Sequence, residues 1–434
     1  MMSIKLEIEF YGLWPIYIII DLNRIPTEPP PINALYLIFN LSPVKRIFLL
    51  LLCITVAINF AHSQNDTIRK KKNFLQRMDS IQQWKLDNGR STLTPYIAPS
   101  YSPEMELMIS VGGLYTFTMQ KENAKLSRSS IPFSFAYSTN KSIQTSVRPT
   151  IYGKDDKWRM SAEYWHKKMP DNYWGVGYDN GRYTPKSDST TGYQRNWIQL
   201  KFKLNFRVWR DLFLGINYDY NQTEATEVND VMASDPDYLR SGSEIYNSGI
   251  GGVIQWDSRD FPENAYHGVF LELAGTGYGK HTDGNTAFQV FELDYRQYQT
   301  IKREGSTLAW QVKSRYVGGE VPWTEMSMLG TPYDLRGYTW GQYRDQTMVF
   351  VLAEYRHMFK RGKPNFRGGS YGPFGFSLWA GTGSVAHDYK TLNNWLPNAG
   401  IGFRFEIQER MNLRIDYGVG FETSAFYISF NEAF

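Results

Sequence analysis

The chain has 434 residues, enough for one large domain or two or three ordinary ones. Its formal charge of +4 is too small to imply a nucleic-acid partner, and its mean hydropathy of −0.44 argues against a bundle of membrane helices. A single cysteine, Cys53, excludes an intramolecular disulfide and a cysteine metal cage. Aromatic residues make up 16 % of the chain, led by 30 tyrosines. That content, with abundant glycine, suits strands that alternate between lipid and water and so average out to polar.

In chain order, the first legible element is KRIFLLLLCITVAINFAHSQ, residues 45–64. Two positive charges, an apolar core and small residues at Ala61 and Ser63 make a secretory signal, expected to be cleaved between Ser63 and Gln64. The apolar run is shorter than the roughly 20 residues of a spanning helix. Cys53 follows Leu52 rather than a small residue, so the lipidation pattern is not met. No methionine lies between Met2 and Met78. Residues 1–43 are therefore read as a mis-assigned extension, with Val44 the true start from a non-AUG codon and the signal spanning 44–63. Residues 64–103 are expected to be a short periplasmic segment, partly helical, with Phe74, Met78 and Ile81 near one helix face.

From 104 to 434 the chain alternates with a period of two. In NWIQLKFKLNFRVW, Ile198, Leu200, Phe202, Leu204 and Phe206 share one face, and Gln199, Lys201, Lys203, Asn205 and Arg207 the other. Charge on every second position over ten residues suits a wall between lipid and water rather than a soluble sandwich. Strands are predicted near 104–119, 129–138, 142–152, 157–167, 172–183, 192–208, 211–222, 246–258, 267–280, 285–301, 305–319, 346–360, 371–385, 397–407, 411–421 and 425–434. This is an all-β chain: a 16-stranded antiparallel transmembrane β-barrel, closed because an unpaired strand edge in lipid is costly. The short connections STNK, KMPDN, WRD, KREG and QER are read as periplasmic turns. Residues 223–245 and 320–345 are read as long outer loops.

The inward face carries Lys201, Lys203, Arg207, Lys313, Arg315, Arg404 and Arg414 with Glu163, Asp219, Glu292, Asp294, Glu406 and Asp416. Phe426, Ile428, Phe430 and Phe434 share the outward face of the last strand, a C-terminal assembly signal that Glu432 interrupts. GGSYG, residues 368–372, matches G-x-S-x-G only formally, since the nucleophile motif needs a strand-turn-helix elbow. With six scattered histidines and no phosphate loop, no enzyme and no cofactor are expected.

Three motifs remain: QWDSRDFPENAYHG, MLGTPYDLRGY followed by VLAEYRHMF, and GIGFRFEIQERMNLRIDYGVGF. Together with NYWGVGYDNG they resemble the BamA/TamA superfamily of outer-membrane assembly and secretion barrels (bacterial surface antigen type), over most of the chain after residue 104. The resemblance implies a periplasmic turn built on Asp257, Arg259, Pro262 and Gly268. It also implies a sixth outer loop that folds into the lumen, with Arg336, Gly337 and Tyr338 at its tip and Glu354 as the wall carboxylate. A second wall carboxylate is expected on the next strand, where this sequence has Gly381. Glu354 alone, or a substitute such as Glu406 or Asp416, is left to hold the arginine. Between Gln64 and the first strand there is no room for a POTRA module of roughly 75 residues.

The function implied is insertion or translocation of proteins or lipids at the outer membrane of a Gram-negative bacterium. Its partners would be outer-membrane lipids, other assembly proteins and client polypeptides. A passive diffusion channel and a scaffold barrel in a larger complex are the alternatives.

Overall fold

The structure is a computed structural model that describes residues 3–8, 16–21, 90–120, 128–359, 374–408 and 410–434. The chain divides into two units, residues 1–76 and 77–434. In the first, Ser3–Ile8 and Ile16–Asp21 pair as an antiparallel hairpin. The signal-peptide pattern, the helical reading of 64–89 and the GGSYG segment lie outside the described residues.

The described residues of the second unit form a closed barrel of sixteen antiparallel strands. They are β1 (Thr92–Ser102), β2 (Glu106–Phe117), β3 (Ser129–Ser138), β4 (Ile143–Val147 and Thr150–Tyr152) and β5 (Trp158–Asn172). Next come β6 (Gly192–Trp209), β7 (Leu212–Thr226), β8 (Glu244–Asp257), β9 (Gly268–Tyr278), β10 (Phe288–Thr300) and β11 (Ser306–Gly319). The last are β12 (Thr347–Met358), β13 (Phe374–Ala386), β14 (Leu396–Gln408), β15 (Met411–Gly420) and β16 (Thr423–Phe430). Each pairs with its neighbours in sequence, and β16 meets β1 to close the barrel.

The number sixteen is reached by a different path from the one read in the sequence. The barrel starts at Thr92, inside the stretch assigned to the periplasm, because Pro95 and Pro99 hide β1 from a propensity reading. The expected strand at 172–183 is absent. Its tyrosines and glycines form a loop that ends in the helix Tyr178–Tyr183, which stacks Tyr178 on Tyr343 at 5.5 Å. The long connections 173–191, 227–243 and 320–346 share one rim, here the loop rim. STNK also lies on that rim, between β3 and β4, and KMPDN lies within β5, so neither is a turn on the opposite, turn rim.

The wall shows the alternation directly. Ile97, Phe133, Leu214, Ile254, Phe291, Leu378 and Ile401 stand exposed on the outside, while Asn217, Asn247, Gln311 and Glu354 are buried inside. An apolar exterior of this extent marks a surface that faces lipid.

Candidate functional site

The loop between β11 and β12 folds into the barrel. Its ends pair as Ser327–Leu329 with Tyr343–Asp345, which sends the segment between them inward as a finger. Leu329, Leu335, Tyr338 and Tyr343 pack with Phe350, Leu352, Val385 and Leu396 of the wall. At the fingertip Arg336 is fully buried. Its guanidinium donates to Glu354 Oε2 on β12 at 2.6 Å and to Asp416 Oδ2 on β15 at 2.7 Å, and lies 3.6 Å above the Trp379 ring. A planar fork can serve two acids at once, which a lysine could not do with the same geometry. Gly337 is in the left-handed region at φ 117, and a Cβ there would lie 2.9 Å from the main chain of Gly418 and Val419. Both reasons exclude other residues.

The second carboxylate is therefore Asp416, two strands beyond the position the resemblance points to. At that position Gly381 stands opposite Leu352, whose Cδ1 would lie 2.7 Å from an added Cβ. Leu352 and the Val351 carbonyl fill the space an aspartate would need.

The clamp extends beyond these three charges. Arg404 bonds Asp416 Oδ1 at 2.6 Å, Glu354 Oε1 at 3.0 Å and Glu432 Oε2 at 2.9 Å. Arg356 reaches Glu354 at 3.2 Å, and Arg414 reaches Asp416 at 3.5 Å and donates to Ser429 at 2.9 Å. Four arginines thus share three acids, all buried. Each acid also answers more than one donor, which offsets the desolvation of so many charges.

Glu432 was read as an interruption of the outward face of β16. The structure ends that strand at Phe430 and turns the chain at Asn431, φ 63, a conformation asparagine tolerates. Glu432 then points inward to Arg404. Phe434 is buried under Arg356, 4.8 Å from ring to guanidinium, instead of sharing the outward face with Phe426, Ile428 and Phe430. Sequence alternation carried past Phe430 could not reveal this, because one left-handed residue reverses the parity.

The same finger touches both edges of the β16–β1 joint. Gly337 N donates to Tyr427 Oη on β16 at 3.0 Å, and Thr423 Oγ1 at the start of β16 donates to Gly337 O at 2.8 Å. Trp340 N donates to Glu104 Oε1, in the turn that joins β1 to β2, at 3.0 Å. Burial raises the Glu104 pKa, and the Trp340 N–H partly offsets that. The Trp340 ring lies 5.4 Å from the Lys167 ammonium, which also sits over Trp165 and Trp197.

The joint itself is paired at one residue pair, Ile428 with Tyr101. Main-chain parity explains why. Thr139 N donates to Leu107 O, so the odd residues of β2 face β3 and the even ones face β1. On β1 the even residues then bond β2. Pro95, Ile97, Pro99 and Tyr101 face β16. The next pair that would bond along the joint is Pro99 with Phe430, and Pro99 has no N–H to donate. Beyond it, Asn431 takes the chain inside.

The other inner-wall residues fall into separate groups. Lys201 pairs with Asp219 at 3.9 Å, Lys203 with Glu272, Arg207 with Asp156, and Arg315 with Glu292 at 3.7 Å and Glu325 at 3.5 Å. Asp294 binds Arg296 at 2.6 Å, Lys313 stands opposite Asp294, and Glu406 accepts Arg410 N at 3.2 Å. The Lys201 side chain is 41 % exposed, against 0 % for Arg336. The wall at Lys201 therefore borders open lumen, Asp294 and Glu406 are buried, and Arg404, Arg414 and Asp416 belong to the clamp.

The turn after β8 also does more than reverse the chain. Asp257 accepts Arg259 Nε at 2.8 Å and Arg159 at 2.8 Å, Arg259 donates to Pro262 O at 2.9 Å, and Gly268 returns the chain at φ 111. Asp260 then pairs at 3.0 Å with Arg410, in the turn between β14 and β15, and the Arg410 guanidinium lies 3.5 Å over Tyr266. Those two turns are six strands apart in a ring of sixteen, so the contact crosses the bore near the turn rim. At the loop rim Trp323 is fully buried among Tyr173, Tyr193, Ile245 and Tyr238, which covers part of the other end.

No protein-family model and no curated protein matches the sequence. Among solved structures, the chain is similar to BamA from Haemophilus ducreyi lacking POTRA domains 1-3. The identity is 12 % and the TM-score 0.51, over 82 % of this chain and 78 % of that one. The barrel has the BamA fold. CdiB from Acinetobacter baumannii aligns at 14 % identity and TM-score 0.48, over 79 % of this chain and 59 % of that one. CdiB from Escherichia coli aligns at 8 % and 0.49, over 81 % and 70 %. In this BamA-type barrel the clamp, the β8–β9 turn and the β16–β1 joint are the features with chemistry beyond wall building.

Proposed function

We propose that this BamA-type barrel works in the outer membrane, where it inserts or translocates polypeptides, without enzymatic chemistry, by parting β16 from β1. The observation that carries the proposal is the single residue pair at that joint, beside ladders of eight and eleven pairs at the neighbouring joints β15–β16 and β1–β2 and fifteen at β5–β6. An unpaired strand edge in lipid offers main-chain groups to an incoming strand. The finger loop is the bolt: it holds β16 through Tyr427 and Thr423 and the β1–β2 turn through Glu104, and its own position depends on Arg336. Outer-membrane lipids and client chains are the partners that fit this mechanism.

A passive channel is the weaker reading. The finger fills the β12–β16 side, and the Asp260–Arg410 pair crosses the bore. Depletion of the protein in cells, followed by a profile of outer-membrane proteins, tests the reading. Loss of many barrels supports insertion, and loss of one solute's uptake with a normal profile supports a channel instead.

A further inference from the structure

The outer wall of β7–β12 carries a recess that neither the finger nor the seam uses. We propose that it binds one acyl chain of a membrane lipid, with the polar end of that lipid held at Ser314 and Tyr389. The inference goes beyond the seam reading and stands if that reading fails.

The recess has a volume of about 850 Å³, within the usual span of small-molecule sites. Strand register shows its shape. Leu214, Ile254, Leu273, Leu293, Ser314 and Val349 stand opposite one another in six successive strands. Five steps of roughly 4.8 Å make a row about 24 Å long. The adjacent row runs Ile216, Gly252, Gly275, Phe291. Its two central positions carry no side chain. An added Cβ on Gly252 would meet nothing nearer than 3.9 Å, and one on Gly275 only the Phe291 ring at 3.4 Å. The recess is thus made by omitted side chains between the exposed Ile216 and Phe291.

The shape selects the occupant. A linear hydrocarbon chain fits, and the recess is continuous with the lipid-facing wall on either side. A void against that wall would forfeit dispersion contacts. Ser314 is the one polar side chain in its row. Tyr389 reaches it from the loop after β13, crossing β12, with 2.8 Å between the hydroxyl oxygens. The Tyr389 ring lies 6.1 Å from Tyr316 and closes the loop-rim end. Two hydroxyls there, at an aromatic border, match an ester or hydroxyl oxygen at the head of a lipid.

The test uses the folded barrel reconstituted in palmitoyl-oleoyl phosphatidylcholine vesicles, extracted in mild detergent and weighed by native mass spectrometry. Wild type is expected to retain one phospholipid. Gly252→Leu with Gly275→Leu, checked for folding by heat-modifiable migration on gels, is expected to lower retention at least tenfold. Tyr389→Phe is expected to lower it several-fold. Equal retention in the filled variant, or none on wild type, overturns the proposal, as does a co-purified acylated protein or helix in the recess. Should the leucine variant not fold, wild type in nanodiscs of dibromostearoyl phosphatidylcholine decides by electron cryo-microscopy. Bromine density is expected along the Leu214–Val349 row, and its absence overturns the proposal.

Discussion

Two joints of the same barrel are closed in opposite ways. β6 and β7 pair over fifteen residues, Leu212–Thr226 against Gln194–Trp209, and need nothing from inside. β16 and β1 pair once, and side chains of an inserted loop make up the contact. The difference teaches that closure at the second joint is conditional. A main-chain ladder is lost only on unfolding, whereas a side-chain bolt is released by moving one loop. Three residues create the contrast: Pro95 and Pro99 remove donors from the edge of β1, and Asn431 withdraws the partner strand.

The largest change is expected from Arg336→Ala, which leaves Glu354 and Asp416 buried beside fewer cations. Breaking a buried network by removing one partner costs about 3–5 kcal/mol, and Arg404, which bonds both acids, holds the loss toward the lower end. The finger should become protease-sensitive and single-channel conductance should rise. An unchanged cleavage pattern would show that the bolt does not depend on this arginine. Arg336→Lys should behave almost as badly, since an ammonium cannot reproduce the fork.

A smaller effect is expected from Arg410→Ala, which cuts the cross-tie to Asp260. Conductance should rise at the turn rim while the finger stays protected, and a loosened finger would mean that the two closures are coupled. Pro99→Thr works in the opposite sense. It restores an N–H facing Phe430, so amide exchange at Tyr101 and Ile428 should slow several-fold. The smallest change is expected for Tyr427→Phe, which removes the bond to Gly337 N at a cost of about 1 kcal/mol and should show as faster exchange at Gly337 alone.

Acidity offers a further handle. Glu325, at the base of the finger, has its pKa raised by burial to about 7, with Arg315 opposing the rise and Asp219 adding to it. Because the pKa in the docked state is above the ordinary 4.5, docking is strongest in acid. It weakens as pH rises from about 4.5 through 7. Glu325→Gln should flatten that dependence of protease sensitivity, and an unchanged pH profile would exclude Glu325 as its source.

Much of this was legible from alternation. The runs 192–208 and 411–421 stand where they were expected, because a lipid-facing wall imposes strict parity. What the sequence hid was decided by single residues that break parity or by contacts between distant strands. Pro95 and Pro99 made a true strand look like a linker. Aromatic side chains that pack under the finger made 172–183 look like a strand. Asp416 was open as a substitute carboxylate, but only the fold shows that Leu352 and the Val351 carbonyl occupy the space beside Gly381. Glu432 and Phe434 could be placed only once Asn431 was seen to turn.

The most direct test of the account is a reversible bond across the joint. With Cys53 replaced by serine, Tyr101→Cys and Ile428→Cys place two thiols on the paired positions. The oxidised barrel is expected to fail to restore the outer-membrane protein profile of depleted cells, and the reduced barrel to restore it. A barrel that works equally well with the disulfide intact would contradict the opening of β16 from β1.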